Sequence, residues 1–231
     1  MAQETVRRHT VLHYCGGGQC NICLEDLWTV RNMEDNLWWE PPEDKFGLDS
    51  VPPQAVVMIR GCRHSFHSGC LVSLVEVQPG QHHLQCPNCQ TIHGVRTGNM
   101  PTFGRIRYAR DKRHSVPGYL GEGVIVIEYQ FEDGVQDDSH PRPGKPFYAR
   151  GFPRQAFLPG SSQGQRVLNM LITAFKRGLT FTIGRSVTTG EEDCLTWNGI
   201  HHKTGANGHG YPDMAYLDRV MQELKLHGVE G

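Results

Sequence analysis

Eight zinc-type ligands stand in one order over the first ninety residues: Cys20 and Cys23, then Cys62, His64, His67 and Cys70, then Cys86 and Cys89. Two C-x2-C pairs thus flank a C-x-H-x2-H-x2-C block. Structural zinc takes four thiolate or imidazole ligands, and a C-x2-C turn delivers two thiolates to one ion because the short loop folds around it. Eight ligands therefore fill two ions. With every position occupied no place remains for a bound water, which speaks against metal-assisted hydrolysis. A segment of roughly seventy residues with a long polar insertion buries too little apolar surface to fold unaided, so metal supplies the missing stability.

The string reads as a RING-H2 finger. In that arrangement the first and third pairs share an ion, so Cys20, Cys23, His67 and Cys70 form zinc site 1, and Cys62, His64, Cys86 and Cys89 form site 2. PHD and LIM patterns fit the histidine placement less well. Disulfides are the other use of clustered cysteines. However, the chain begins MAQETVRRHT without an apolar signal segment, and no stretch approaches transmembrane length, so a reducing cytosolic or nuclear setting is expected. Cys15 and Cys194 lie outside the pattern and read as structural thiols.

With 231 residues, 38% of them hydrophobic, and a net charge of -1, the chain can hold a metal-stapled module plus one domain with its own core. Residues 1–90 carry 6 Lys+Arg against 10 Asp+Glu, and the remainder 17 against 14, so neither part is polarised towards a polyanion. Three segments are expected: 1–15 as a disordered terminus, 16–92 as the zinc finger with a long first loop, and 93–231 as an α+β domain. Within the finger, Ala55 to Ile59 reads as a strand and Gly69 to Val77 as a helix. The adjacent Trp38-Trp39-Glu40 is no evidence for a WWE domain, whose name-giving residues are dispersed.

Beyond Cys89, TIHGVRTGNMPTFG reads as a linker. Strands are expected at 123–131, 146–152, 179–186 and 194–200, and helices at 163–177, closed by Gly178, and 213–227. The segment from Gly184 to Asp213 gathers Gly, Ser, Thr and His with Trp197 and Tyr211. These are ingredients of a nucleotide pocket, but loops gather Gly and Thr anyway, and His201-His202 also fits a satisfied structural pair. No Walker or Rossmann glycine pattern occurs.

The strings ARGFPR (149–154), TTGEED (188–193), WNGIHHKT (197–204) and GHGYPD (208–213), following a finger that opens CNICLEDL, resemble the Deltex family of ubiquitin ligases. The resemblance implies a RING joined to a Deltex C-terminal domain that binds ADP-ribose and NAD. It implies ubiquitin transfer to proteins and to ADP-ribose carried by proteins or nucleic acid, with His209 and Glu223 as the catalytic pair. Transfer of ADP-ribose from NAD to ubiquitin, or a reader with a weak RING, are the alternatives, and self-assembly or assembly with another chain stays open. Ser186, His201 and Tyr211 would line the pocket, with Arg185, Thr188, Trp197 and Lys203 beside them. The family also brings a connection to Notch signalling.

A RING's role is to hold a ubiquitin-charged conjugating enzyme, and the matching positions are Ile22, Leu74 and Pro87. Three departures are visible. Gln90 stands where RINGs that clamp ubiquitin carry Arg, the loop KTGANG before His209 is short, and Val187 replaces a small polar residue.

Overall fold

A computed structural model describes residues 2–13, 18–27, 51, 53–77, 83–208 and 210–231. Cys15, Trp38, Trp39, Glu40 and His209 lie outside the described residues, as does most of the long first loop. The chain divides into two compact units, residues 1–96 and 97–231.

The first unit opens with α1 (Ala2–His9) and β1 (Thr10–Leu12), followed by β2 (Val56–Ile59), β3 (Ser65–His67) and α2 (Ser68–Glu76), and ends with β4 (His83–Gln85) and β5 (Ile92–Gly94). Strands β1, β2 and β3 form an antiparallel sheet in that order, with Thr10 opposite Ile59 and Val56 opposite His67. β4 and β5 form a separate hairpin. The expected disordered terminus is therefore ordered over 2–12. Val6 is fully buried in the core with Ile59, Phe66, Leu71 and Leu84, and α1 lies against α2 and β4. Glu4 pairs with Arg8 one turn on, and the Thr10 hydroxyl donates to the Val6 carbonyl at the helix exit. The six polar or charged side chains of α1 hid one apolar anchor, Val6, which only its neighbours make decisive. The expected boundary at 92/93 would cut β5, whose Ile92 faces Gln85; the division falls after Arg96 instead.

The second unit contains β6 (Arg105–Asp111), β7 (Val124–Gln130), β8 (Gly134–Val135), β9 (Pro146–Phe147), β10 (Arg154–Pro159), α3 (Ser162–Lys176), β11 (Phe181–Gly184), β12 (Cys194–Trp197) and α4 (Tyr216–Leu226). The main sheet is antiparallel in the order β10-β7-β6, and β8-β9 and β11-β12 are hairpins. β7 is its centre because VIVIEYQ is β-branched and apolar enough to be covered from both sides. α3 starts at Ser161, whose Oγ accepts the Gly164 amide at 3.1 Å, and stops at Gly178, whose φ of 72° suits glycine. Val167, Leu168 and Leu171 of α3 and Leu217, Val220 and Leu224 of α4 join β7 and β10 in one core.

Strands β6 and β10 escaped the periodicity reading. β6 is an edge strand whose side chains are mostly exposed, so it carries no apolar alternation. The strand expected at 146–152 shrinks to Pro146–Phe147, after which Tyr148 makes a single parallel bridge to Cys194.

Candidate functional site

The first unit brings its ligands together in two groups. Cys20, Cys23, His67 and Cys70 present donor atoms within 4.8 Å of one another, and so do Cys62, His64, Cys86 and Cys89. Tetrahedral zinc, with bonds of about 2.3 Å to sulfur and 2.0 Å to nitrogen, sets neighbouring donors about 3.5 Å apart. Cys23 Sγ lies 3.3 Å from His67 Nδ1, and Cys86 Sγ lies 3.4 Å from His64 Nδ1, which fits that edge length.

The donor chemistry fits as well. Burial first, and then the neighbouring Cys23 and Cys20, push the Cys70 thiol up to about 12; burial likewise raises Cys86 to about 12. Such crowded thiols cannot all ionise without a cation among them, and a divalent ion removes that penalty. Zinc here supplies structure, and these eight residues would hold it.

The two C-x2-C pairs are built alike. The Leu24 amide donates to the Cys20 carbonyl at 2.7 Å and the Cys20 amide to Glu25 at 2.8 Å; the Gln90 amide donates to Cys86 at 2.8 Å and the Cys86 amide to Thr91 at 2.9 Å. Leu24 and Gln90 both have positive φ, 64° and 61°. For non-glycine residues this conformation costs roughly 1–2 kcal/mol, and here the turn that presents the thiolates imposes it. Asn21 Nδ2 donates to Asn88 Oδ1 at 2.9 Å, linking the two knuckles by their tips.

Of the expected conjugating-enzyme contacts, Ile22, Leu74 and Pro87 are all half-buried, and Ile22 packs against the core. Leu24 (67% exposed) and Val77 (74%) are more open apolar positions that sequence reading passed over. Gln90 turns back on its own knuckle, its Nε2 donating to the Pro87 carbonyl at 2.9 Å.

In the second unit the segment after β12 is clamped to α4. The His201 amide donates to Glu223 Oε2 at 2.8 Å, and the Tyr216 hydroxyl donates to the His201 carbonyl at 3.0 Å. The His201 side chain stays at the surface. Glu223 Oε1 has no partner among the described residues. Two positions on, Lys203 Nζ meets Asp213 Oδ2 at 2.8 Å, and Arg219 forks onto both Asp213 oxygens at 3.2 and 2.6 Å. These cations hold Asp213 well below the usual carboxylate range, Arg219 contributing most. Lys203 and Asp213 thereby tie the two ends of the segment that contains His209. Within it, a Cβ on Gly210 would meet the Gly205 carbonyl oxygen at 1.7 Å, so this close approach requires glycine.

Other expected pocket residues are engaged by the fold around them. Tyr211 is buried, its hydroxyl donating to the Phe157 carbonyl at 3.0 Å, and its ring meets Tyr119 and Tyr216 edge to face, so it is a core residue. Trp197 is stacked with Phe181 at 4.5 Å and with His202 at 4.3 Å between ring centroids, so its indole is engaged within the fold. His202 Nδ1–H donates to the Ile200 carbonyl at 2.8 Å, and Nε2 accepts the Tyr129 hydroxyl at 2.9 Å. Burial lowers its pKa to about 4, so the ring is neutral and structural.

Arg185, Ser186 and Thr188 lie on a turn after β11. Ser186 Oγ accepts the Thr189 amide at 3.2 Å, Arg185 Nε donates to the Gly190 carbonyl at 3.1 Å, and Val187 is fully exposed. Asp193 anchors that turn, accepting Gln136 Nε2 at 2.9 Å and Arg142 Nε at 2.8 Å. No local pattern singled out Asp193, whose partners Gln136 and Arg142 come from a distant segment, or Asp213, whose partners Lys203 and Arg219 fall outside the i,i+3 and i,i+4 helical spacing.

Two four-ligand metal groups and the knuckles that present them make the first unit a zinc finger of the RING kind, joined in one chain to an α+β domain. The family model "Zinc finger, C3HC4 type (RING finger)" matches residues 47–89, and the Deltex C-terminal domain model matches residues 97–229. The chain belongs to the Deltex C-terminal domain family. In the finger, His67 stands at the fifth ligand position, where the C3HC4 pattern has cysteine.

E3 ubiquitin-protein ligase DTX1 of Mus musculus is 44% identical over 214 residues, covering 91% of this chain and 32% of that protein. DTX4 of Mus musculus is 42% identical over the same share of this chain and 33% of its own length. "Probable E3 ubiquitin-protein ligase DTX3" of Homo sapiens is also 42% identical, over 52% of that protein. The chain thus spans between about a third and about half of the relatives it matches.

Proposed function

We propose that this chain is the ubiquitin-transferring part of a Deltex-type E3 ligase. The finger receives a conjugating enzyme charged with ubiquitin, and the second unit presents ADP-ribose, free or attached to protein or nucleic acid, beside Glu223. The observation that carries the reading is the Glu223 carboxylate, anchored through one oxygen to the His201 amide with the other unpartnered among the described residues. A ribose hydroxyl is a poor nucleophile at neutral pH, and a fixed carboxylate can accept its proton as the oxygen attacks the ubiquitin thioester carbonyl. An ester forms, and the conjugating enzyme leaves as thiolate. His209 is the family's partner for Glu223 in this step.

The test is a reconstitution with conjugating enzyme, ubiquitin, ATP, activating enzyme and free ADP-ribose. A hydroxylamine-sensitive ubiquitin adduct on ADP-ribose is expected; measurable ADP-ribose binding without any adduct would sink the ligase reading of the second unit.

A second reading is favoured by Gln90. Its side chain is spent on the Pro87 carbonyl, and it lacks the charge and reach of an arginine that would clamp ubiquitin. On that reading the chain is chiefly an ADP-ribose reader with a weak finger, and Gln90→Arg would raise ubiquitin discharge from the conjugating enzyme severalfold. A third reading, NAD-dependent ADP-ribosylation of ubiquitin, requires an adduct that forms with NAD and not with ADP-ribose.

A further inference from the structure

The near-neutral charge of the second unit hides a local concentration. Residues 105–113, RIRYARDKR, carry five cations and one acid, and they include β6, the edge strand of the main sheet. Five of the seven β6 residues are exposed, Tyr108 at 58%. Their engagements differ. Arg110 is turned onto the Gly160 carbonyl, and Arg113 lies 3.5 Å from Asp111. Arg105, Arg107 and Lys112 have no ion-pair partner among the described residues. Arg105 and Arg107, two apart on a strand, lie on the same face of the sheet. Glu128 of β7 stands opposite Arg107 and is contacted by Gln155 from the other side.

We propose that β6 is a docking strand for an extended acidic segment of a partner protein, an inference separate from the ADP-ribose reading. An edge strand offers a row of unpaired amides and carbonyls that an added strand can complete. Such edges are commonly guarded by charge, and the guard here is selective. A second copy of β6 would bring the same excess of cations to the edge, and the registers that oppose Arg107 to itself or to Arg105 set arginine against arginine, which disfavours self-pairing, whereas alternating carboxylates would meet Arg105 and Arg107 directly. A nucleic acid strand would gain from the same cations, but β6 offers only Tyr108 as a stacking surface, where such sites use successive aromatics. The backbone edge, which a nucleic acid leaves unused, decides for the peptide.

The probe is a fluorescein-labelled peptide of alternating glutamate and valine, titrated with the full chain loaded with zinc and followed by anisotropy and by amide shifts of residues 105–111. Saturable binding is expected that weakens at least tenfold in Arg105→Gln/Arg107→Gln and falls steeply with added salt. Glutamine keeps the strand and avoids setting a new carboxylate against Glu128, and an unchanged melting temperature certifies the variant; should it melt early, Arg105→Lys/Arg107→Ala takes its place. No binding at 100 μM, binding indifferent to both variants, shifts confined to other segments, or displacement of the peptide by a lower concentration of single-stranded oligonucleotide would each overturn the proposal.

Discussion

The backbone amide of His201 donates to the Glu223 carboxylate at 2.8 Å, across 22 residues of sequence, and ties the segment leading to His209 onto the last helix. The bond gives Glu223 a structural duty besides any chemical one. Glu223→Gln can keep it through the amide oxygen while losing the base. Its fold should therefore be unaltered by circular dichroism and melting, while ubiquitin transfer to ADP-ribose falls by about a hundredfold or more. Ubiquitination of lysine, measured on the same sample, should persist. Glu223→Ala loses the amide's acceptor too and should also melt earlier.

The Lys203–Asp213 pair brackets the His209 segment. Asp213→Asn withdraws the carboxylate from both Lys203 and Arg219, so the second unit should melt several degrees lower and ADP-ribose affinity should drop. Lys203→Met leaves the Arg219 fork in place, and its melting temperature should fall less. Equal losses in the two variants would show that Asp213 acts through Lys203 alone.

Burial keeps His202 neutral, with a folded pKa of about 4 against about 6.5 when unfolded. A depressed histidine pKa means that the unfolded chain binds more protons in this window. The stabilisation is thus complete above about pH 6.5 and is lost as pH falls towards 4. By pH 5 it should cost the second unit about 2 kcal/mol. Urea denaturation at pH 7 and pH 5, read by hydrogen exchange of β11 and β12, checks the size, and His202→Phe should flatten the dependence. An NMR titration showing the ring protonated at pH 6 would contradict the burial argument.

Chelation should act on one unit only. Removing zinc leaves the first unit with a small core and eight uncompensated thiol and imidazole groups, so residues 2–96 should lose hydrogen-exchange protection. Residues 97–231 contain neither metal group and should keep theirs. Restored protection on adding zinc, at two ions per chain by mass spectrometry, completes the test.

The metal half of this protein is legible in its sequence because coordination is a local and discrete demand: cysteine and histidine at fixed spacing admit few alternatives. The same holds for β7, α2, α3 and α4, whose apolar periodicity reports their buried faces. The remainder depended on partners far along the chain. Val6 orders α1 only because α2 and β4 are there to cover it, and β6 is a strand only because β7 pairs with it. Trp197 and Tyr211 had the chemistry of ligand-stacking residues until Phe181, His202, Tyr119 and Tyr216 surrounded them. Lys203, which the family resemblance set beside the pocket, is claimed by Asp213. Residue type and spacing set which groups were available to a site. Tertiary packing decided which of them were spent on holding the fold, because a buried polar or aromatic group must be satisfied by whatever the chain brings to it.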